Sequence, residues 1–420
     1  MKLLEEVLEK ISPTEEEEKK IKKIVEEIEK LIDKEKPEDA EIMLVGSVAK
    51  GTYLKNSLDI DFFLLFPPSY KKEEMEHIVI SIGKKILDDW KIQYAEHPYI
   101  RGFYKGYTVD IVPCYKVKDA TKKLSAVDRT PFHTTYVKEN LKEEMKNEVR
   151  IFKQFLKGIG CYGAEAKIEG FSGYLAELFI LKYGSFLNVL KNADEIEPYF
   201  IDPVDPSRNV AAALSQEKLN LFKFAAKEFL RRPKMEFFFP KPPPELRRDE
   251  IREKIKNFVG ICFKKPDIVD DILYPQLKKA AHSIENLLKQ YDFEVLEKTW
   301  YANEDAFIAV KVKSIEIDKI KLHIGPPLHE KEHVRAFKEK WSKSRLAVGK
   351  PFEKDGRIFV KVRREFCNAK ELLEKFLKEI NLGKNLNELK GEMKICTEDE
   401  LSRFVPFWSE YLCKKYPWER

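Results

Sequence analysis

The chain has 420 residues, 77 Lys plus Arg against 72 Asp plus Glu, a net charge of +5, and a hydrophobic share of 43%. That length and apolar content exclude a disordered chain and predict two to four domains, and the lack of any run of about 20 apolar residues excludes a membrane-spanning helix. Six cysteines without C-x-x-C spacing argue against a zinc motif and against a disulfide framework, and the near balance of charge leaves RNA binding to local sorting of basic residues.

The N-terminus, MKLLEEVLEK, reads as an acidic amphipathic helix rather than a signal peptide, so cytoplasmic residence is expected. Ser12 and Pro13 are expected to open a second helix, with Ser as cap and Pro in the first turn. Ile21, Ile24, Val25, Ile28, Leu31 and Ile32 then recur at helical spacing until Pro37. Met43, Leu44 and Val45 end a short strand. Gly46 permits a tight turn, and Ser47 is expected to cap a short helix that carries Lys50 and closes at Gly51 and Thr52. Residues 59–66, DIDFFLLF, read as a strand buried on both faces and stopped by Pro67 and Pro68. A helix over about 71–90 and strands over about 92–97 and 103–115 complete a mixed sheet. Residues 1–140 are thus expected to form an α/β head with helices on one side of a small sheet.

Residues 141–258 read as a mostly helical central domain, with helices over 141–156 and 170–182 and an extended Phe- and Pro-rich connector over 237–244. A further helix is expected over 247–259. Residues 259–420 read as a mixed α+β body and tail: two strands within 293–317 and one over 356–366 alternate with helices at about 266–290, 328–342 and 369–380. The expected fold class is therefore a multidomain α+β chain.

The chemistry concentrates in IMLVGSVAKGTYLKNSLDIDFFLLF, residues 42–66. Side chains two apart on a strand share a face, so Asp59 and Asp61 point the same way. Two carboxylates at the start of a buried strand repel each other and resist desolvation, and a divalent cation relieves both costs. Asp-x-Asp alone also fits exposed acids before a strand. The turn at Gly46 and Ser47, with Lys50, adds a segment suited to phosphate. A third acid, Asp110, sits among Val109, Ile111 and Val112, where an unpaired charge is costly. These acids predict a site for two Mg²⁺ ions, provided that Asp110 converges with the other two.

GS-x₁₁-D-I-D followed by a distant strand aspartate resembles the nucleotidyltransferase superfamily that contains DNA polymerase β and the poly(A) polymerases. SAVDRTPFHTTYV (125–137), the segment from NEVRIFKQFLKGIGCYGAE to YGSF (147–186) and DPVDPSRNVAAALS (202–215) resemble, more specifically, the archaeal-type, class I CCA-adding enzymes. The resemblance covers nearly the whole chain and is weakest over 234–300. It implies a polymerase β-like palm head and addition of C, C and A to the 3′ end of tRNA from CTP and ATP, without a template. It also implies that Gly46, Ser47, Lys50, His133, Lys153 and Tyr162 bind the nucleotide, and that Arg208 helps select C and A. By residue type alone, Lys153 fits a solvated helix, Tyr162 fits a core, and Asp202 or Asp205 fits a structural partner for Arg208. Lys50 departs from the arginine common in the family loop, losing a planar fork while keeping the charge.

tRNA contacts are expected at Arg129, between the head and the helical part, and at His329, His333, Arg335 and Lys338, on a helix entered through a turn at Gly325, Pro326 and Pro327. H-E-K-E-H over 329–333 formally matches a zinc-protease motif, but no third ligand accompanies it. A poly(A) polymerase-like terminal transferase shares the head chemistry and differs in product. A non-catalytic RNA-binding relative would lose at least one of the three acids. A homodimer is left open by the sequence.

Overall fold

The computed structural model describes residues 2–55, 57–94 and 97–420. The chain divides into two compact units, Met1–Pro242 with Lys415–Arg420, and Pro243–Lys414. Both are mixed α+β.

The first unit opens with α1 (Lys2–Ile11) and α2 (Glu15–Glu35). Thr14, not Ser12, caps α2: its hydroxyl accepts from the Glu17 N–H, and the Glu17 carboxylate accepts from the Thr14 N–H in a reciprocal capping box. Next come β1 (Glu41–Val45), α3 (Gly46–Lys50), β2 (Asp59–Phe66), α4 (Lys72–Ile86), β3 (Asp88–Tyr94), β4 (Pro98–Tyr104) and β5 (Tyr107–Tyr115). The strand expected over 103–115 is present over Tyr107–Tyr115, but its first residues belong to β4 and a hairpin turn. Lys105 (φ +49°) and Gly106 (φ +84°) form a two-residue turn with both residues left-handed, which suits tight hairpins. The helix expected over 71–90 stops at Ile86, and part of the strand expected over 92–97 falls on residues 95–96, outside those described.

The sheet runs β1-β2-β5-β4-β3; β2 and β5 are parallel and the other neighbours antiparallel. Its two faces differ. Ile60, Phe62, Leu64 and Phe66 of β2, with Val109, Ile111 and Ile100, join the apolar faces of α2 (Ile21, Ile24, Ile28, Ile32) and α4 (Met75, Val79, Ile82) in one core. The opposite face carries Asp59, Asp61 and Asp110, grading into a smaller apolar cluster of Val45, Phe63, Val112 and Cys114. The strand is therefore fully buried only on its helix side.

After β5 the chain forms α5 (Thr130–Asn140), α6 (Glu143–Gly158), α7 (Gly173–Tyr183), α8 (Phe186–Lys191) and α9 (Gln216–Arg231). Their core is rich in phenylalanine: Phe152, Phe155, Phe171, Phe186, Phe222, Phe229, Phe237 and Phe238 are buried together with Trp418.

The second unit contains α10 (Arg248–Ile255), β6 (Phe258–Lys264), α11 (Asp270–Gln290), β7 (Val295–Ala302), β8 (Asp305–Val312), β9 (Ile320–Pro327), α12 (Lys331–Ser342), β10 (Phe352–Lys354), β11 (Arg357–Arg363), α13 (Ala369–Phe376), α14 (Lys384–Glu388), β12 (Lys394–Ile395), α15 (Glu398–Leu401) and α16 (Val405–Tyr411). The helix expected over 247–259 ends early because Phe258–Lys264 is a strand, buried along nearly its whole length. Gly325, Pro326 and Pro327 end β9 rather than forming a turn. His329 lies before α12, so it and His333 are not one turn apart on a helix, and the zinc-protease pattern loses its geometry. A disulfide joins Cys262 to Cys396, against the sequence expectation. The two cysteines are 134 residues apart and meet only because β12 pairs with β6, so no local spacing announces them.

Candidate functional site

The parallel register of β2 and β5 sets Asp61 opposite Asp110, and the antiparallel register of β5 and β4 sets Asp110 opposite Arg101. Directly paired residues project to the same side of a sheet, so these three form a row across neighbouring strands. Asp59, two before Asp61, belongs to the same face. β1 ends at this row: Val45 pairs with Asp61, and the chain then turns at Gly46. Gly46 has φ +72°, and an added Cβ there would lie 2.1 Å from Asp61 Oδ2. Ser47 is the second residue of α3 and does not cap it. The capping position is Val45, which has no polar side chain.

Burial, then the nearby Asp110 and Asp59, pushes the Asp61 carboxyl up to about 7, against the opposing pull of Arg101 and Lys50. Burial also raises Asp110, opposed by its hydrogen bonds to Arg101. The donor set consists of hard carboxylate oxygens whose repulsion is incompletely relieved, which is the chemistry that a divalent magnesium-type ion satisfies. Among the described residues no group of three His, Cys, Asp or Glu side chains is arranged to hold a metal ion as it stands. Arg101 engages both Asp110 oxygens, each at 2.7 Å, and reaches Asp59 at 3.4 Å.

Lys50 and Lys153 are both buried. Lys50 Nζ donates to Glu177 Oε2 at 2.6 Å, and Lys153 Nζ donates to Glu177 Oε1 at 2.8 Å. The Thr52 hydroxyl donates to Glu177 as well, at 2.6 Å. Burial alone would raise the Glu177 carboxyl, but Lys153 and Lys50 reverse this and hold it at about 2. Burial lowers Lys50. One carboxylate against two ammonium groups leaves a net positive charge below the acidic row, and Lys50 acts electrostatically on Asp61. Tyr162 is largely enclosed between α6 and the start of α7, and an added Cβ on Gly173 would lie 3.0 Å from its hydroxyl.

A second cluster surrounds the fully buried Asp202. It accepts hydrogen bonds from His133 Nε2 at 2.8 Å, Arg208 Nη1 at 2.9 Å and the Tyr174 hydroxyl at 3.1 Å. His133 stacks on Tyr174 with centroids 4.0 Å apart. Burial would raise Asp202, but its hydrogen bonds, led by His133, hold it at about 2, so it stays an acceptor and His133 Nε2 carries the proton. Burial lowers His133 itself. Arg208 keeps about a third of its side chain exposed. Asp202 is thus the partner of Arg208, and His133 shares that partner.

Arg129 is mostly buried and pairs with Asp205 at 3.3 Å, where Lys123 also binds. His329, His333, Arg335 and Lys338 belong to the other compact unit and are exposed. Arg335 meets Glu339 at 3.3 Å and Lys338 meets Glu353 at 3.0 Å. Sequence reasoning missed Arg101, Glu177 and Tyr174. Arg101 lies in a stretch whose strand had not been recognised. Glu177 had a signal, being one acid within the apolar run GYLAELFILKY.

Residues 18–133 match the nucleotidyltransferase domain model, 147–201 and 197–239 the second domain of tRNA nucleotidyltransferase, and 255–398 the C-terminal domain of the CCA-adding enzyme. The CCA-adding enzyme of Archaeoglobus fulgidus is 39% identical over 410 residues, covering 92% of each chain. That of Pyrococcus abyssi is 42% identical over 372 residues, covering 80% of this chain and 82% of its own. That of Methanocaldococcus jannaschii is 36% identical, covering 93% and 94%. With a relative this similar along nine-tenths of both chains and domain models matching from head to tail, this chain belongs to the family of CCA-adding enzymes, the tRNA nucleotidyltransferases.

Proposed function

We propose that this chain completes the 3′ end of tRNA with C, C and A, drawn from CTP and ATP, on a site built from Asp59, Asp61 and Asp110. CCA-adding enzymes act on tRNA with these two nucleotides, and nucleotidyltransferases typically use a divalent metal. The observation that carries the assignment of the site is the register that sets Asp110 opposite Asp61 beside the Gly46 turn. The three carboxylates would hold two magnesium ions. Bound ions supply Lewis acidity toward the tRNA 3′-hydroxyl and neutralise charge at the α-phosphate and the departing pyrophosphate.

The protein's own groups bind and orient. Gly46, lacking a Cβ, lets the turn pack directly against the Asp61 carboxylate, so a phosphate held near Ser47 would lie beside the acids. Lys50 and Lys153 supply positive charge beneath the triphosphate, with Glu177 fixing where their ammonium groups sit. Tyr162 borders the same space. Arg208, anchored through one nitrogen by Asp202, keeps an exposed edge to meet the base of C or A, and His133 is held beside it. His329, His333, Arg335 and Lys338 are exposed and suit contacts with tRNA phosphates. Arg129, locked on Asp205, suits support of the linker more than direct contact.

Stepwise incubation of CCA-lacking tRNA tests this function. CTP alone should extend it by two residues, and ATP should then add one. Long A tails would indicate a poly(A)-type transferase instead. Asp61→Ala should abolish CMP and AMP incorporation while leaving tRNA binding within about twofold. Retained incorporation of labelled nucleotide in that variant would refute the assigned site.

A further inference from the structure

β4 presents Tyr99, Arg101 and Phe103 to the face that carries the acids, since residues two apart share a face. Arg101 grips Asp110 as a planar fork, Nε to Oδ1 and Nη2 to Oδ2, both at 2.7 Å. Its Nη2 also lies 3.4 Å from Asp59 Oδ2. Both Asp110 oxygens are thereby engaged by one cation, whose positive charge lies against the same two oxygens that an incoming metal ion would approach. A buried carboxylate cannot be left without a partner, so some positive charge must remain on Asp110. The guanidinium can leave, because 40% of the Arg101 side chain is exposed. The neighbouring Lys50 cannot take its place at Asp110, being held by Glu177.

The geometry points to Arg101 as the resident cation of the metal-free site: it holds Asp110 until a divalent ion arrives, competes with that ion for the carboxylate, and is displaced when the ion binds. This rests on the reading of the three acids as metal ligands. A competing internal cation lowers the apparent metal affinity of the free enzyme by the equilibrium constant of its own ion pair. It also offsets part of the repulsion among the acids.

The test is Mn²⁺ binding to the full chain without nucleotide or tRNA, read from the electron paramagnetic resonance signal of free Mn²⁺. Arg101→Gln removes charge and fork and should lower the Mn²⁺ dissociation constant at least tenfold. Arg101→Lys keeps the charge but loses the fork, and should lower it severalfold. Wild-type affinity in Arg101→Lys overturns the proposal whatever Arg101→Gln does, since loss of charge alone then accounts for the glutamine variant. If Arg101→Gln does not fold, Arg101→Lys decides alone. Asp110→Asn separates the two layers of the argument. Unchanged Mn²⁺ binding there removes the metal reading and this proposal together. Weakened binding there with a flat Arg101 series removes only the role of Arg101.

Discussion

Gly46 shows how strictly one residue can be specified by its neighbour. Any larger side chain must adopt a left-handed backbone and push into the Asp61 carboxylate. Gly46→Ala should therefore lower nucleotide incorporation by about 100-fold through displacement of a catalytic group by roughly an ångström, with tRNA binding retained; single-turnover assays and filter binding measure both. Glu177 is the complementary case, a buried acid that supports two buried cations. Glu177→Ala should cost about 3–5 kcal/mol in urea unfolding, because Lys50 and Lys153 lose their shared partner. A loss under about 1 kcal/mol would mean that both ammonium groups reach water. The pH dependence has a definite sign. The Glu177 carboxyl titrates near 2 folded and near 4.5 unfolded, so its stabilisation is complete above pH 4.5 and disappears as the pH falls through 2. At this scale Asp59 and Asp61 were legible as a pair because strand periodicity is local. Glu177 stood out as an acid in an apolar helix, but its lysine partners did not, lying 24 and 127 positions away.

Elements were recognised best where periodicity was long, as in α2, and worst at their ends. The start of α2 turned on a choice between two polar residues two positions apart. Both have a glutamate three residues later, so local spacing did not choose between them; Ser12 instead closes α1, its N–H donating to the Leu8 carbonyl at 2.8 Å. Thr14→Ala should cost about 1 kcal/mol, measured as a shift in unfolding midpoint. The β4–β5 corner was missed although Lys105 and Gly106 mark it in the sequence, because the aromatic residues on both sides read as one strand, and Arg101 was overlooked with it. Another element-scale feature is the segment Lys415–Arg420, which returns to the first unit. There Trp418 stacks on Phe237 at 5.1 Å, Tyr416 stacks on Trp418 at 4.9 Å, and Lys234 Nζ donates to the Trp418 carbonyl at 3.0 Å. Trp418→Ala should destabilise the phenylalanine-rich core by about 3–5 kcal/mol, read from thermal unfolding of the full chain.

The whole chain carries its two compact units on a connection crossed twice, near Pro242 and again near Lys414. Within the second unit the Cys262–Cys396 bond closes a long loop, and reducing it should cost that unit about 2–5 kcal/mol. Amide exchange in β6 and β12, followed with and without reductant, should accelerate in that unit alone, and a Cys396→Ser variant should match the reduced protein. By itself the sequence determined the α+β class, the longer helices, the shared face of Asp59 and Asp61, and the family, because each is written in local spacing or in contiguous motifs. Tertiary structure alone decided which distant residues meet: Asp110 with Arg101, Lys50 and Lys153 with Glu177, His133 and Arg208 with Asp202, and Cys262 with Cys396. Those pairings follow from strand register and helix packing, which depend on the whole core closing at once and leave no mark at any one position.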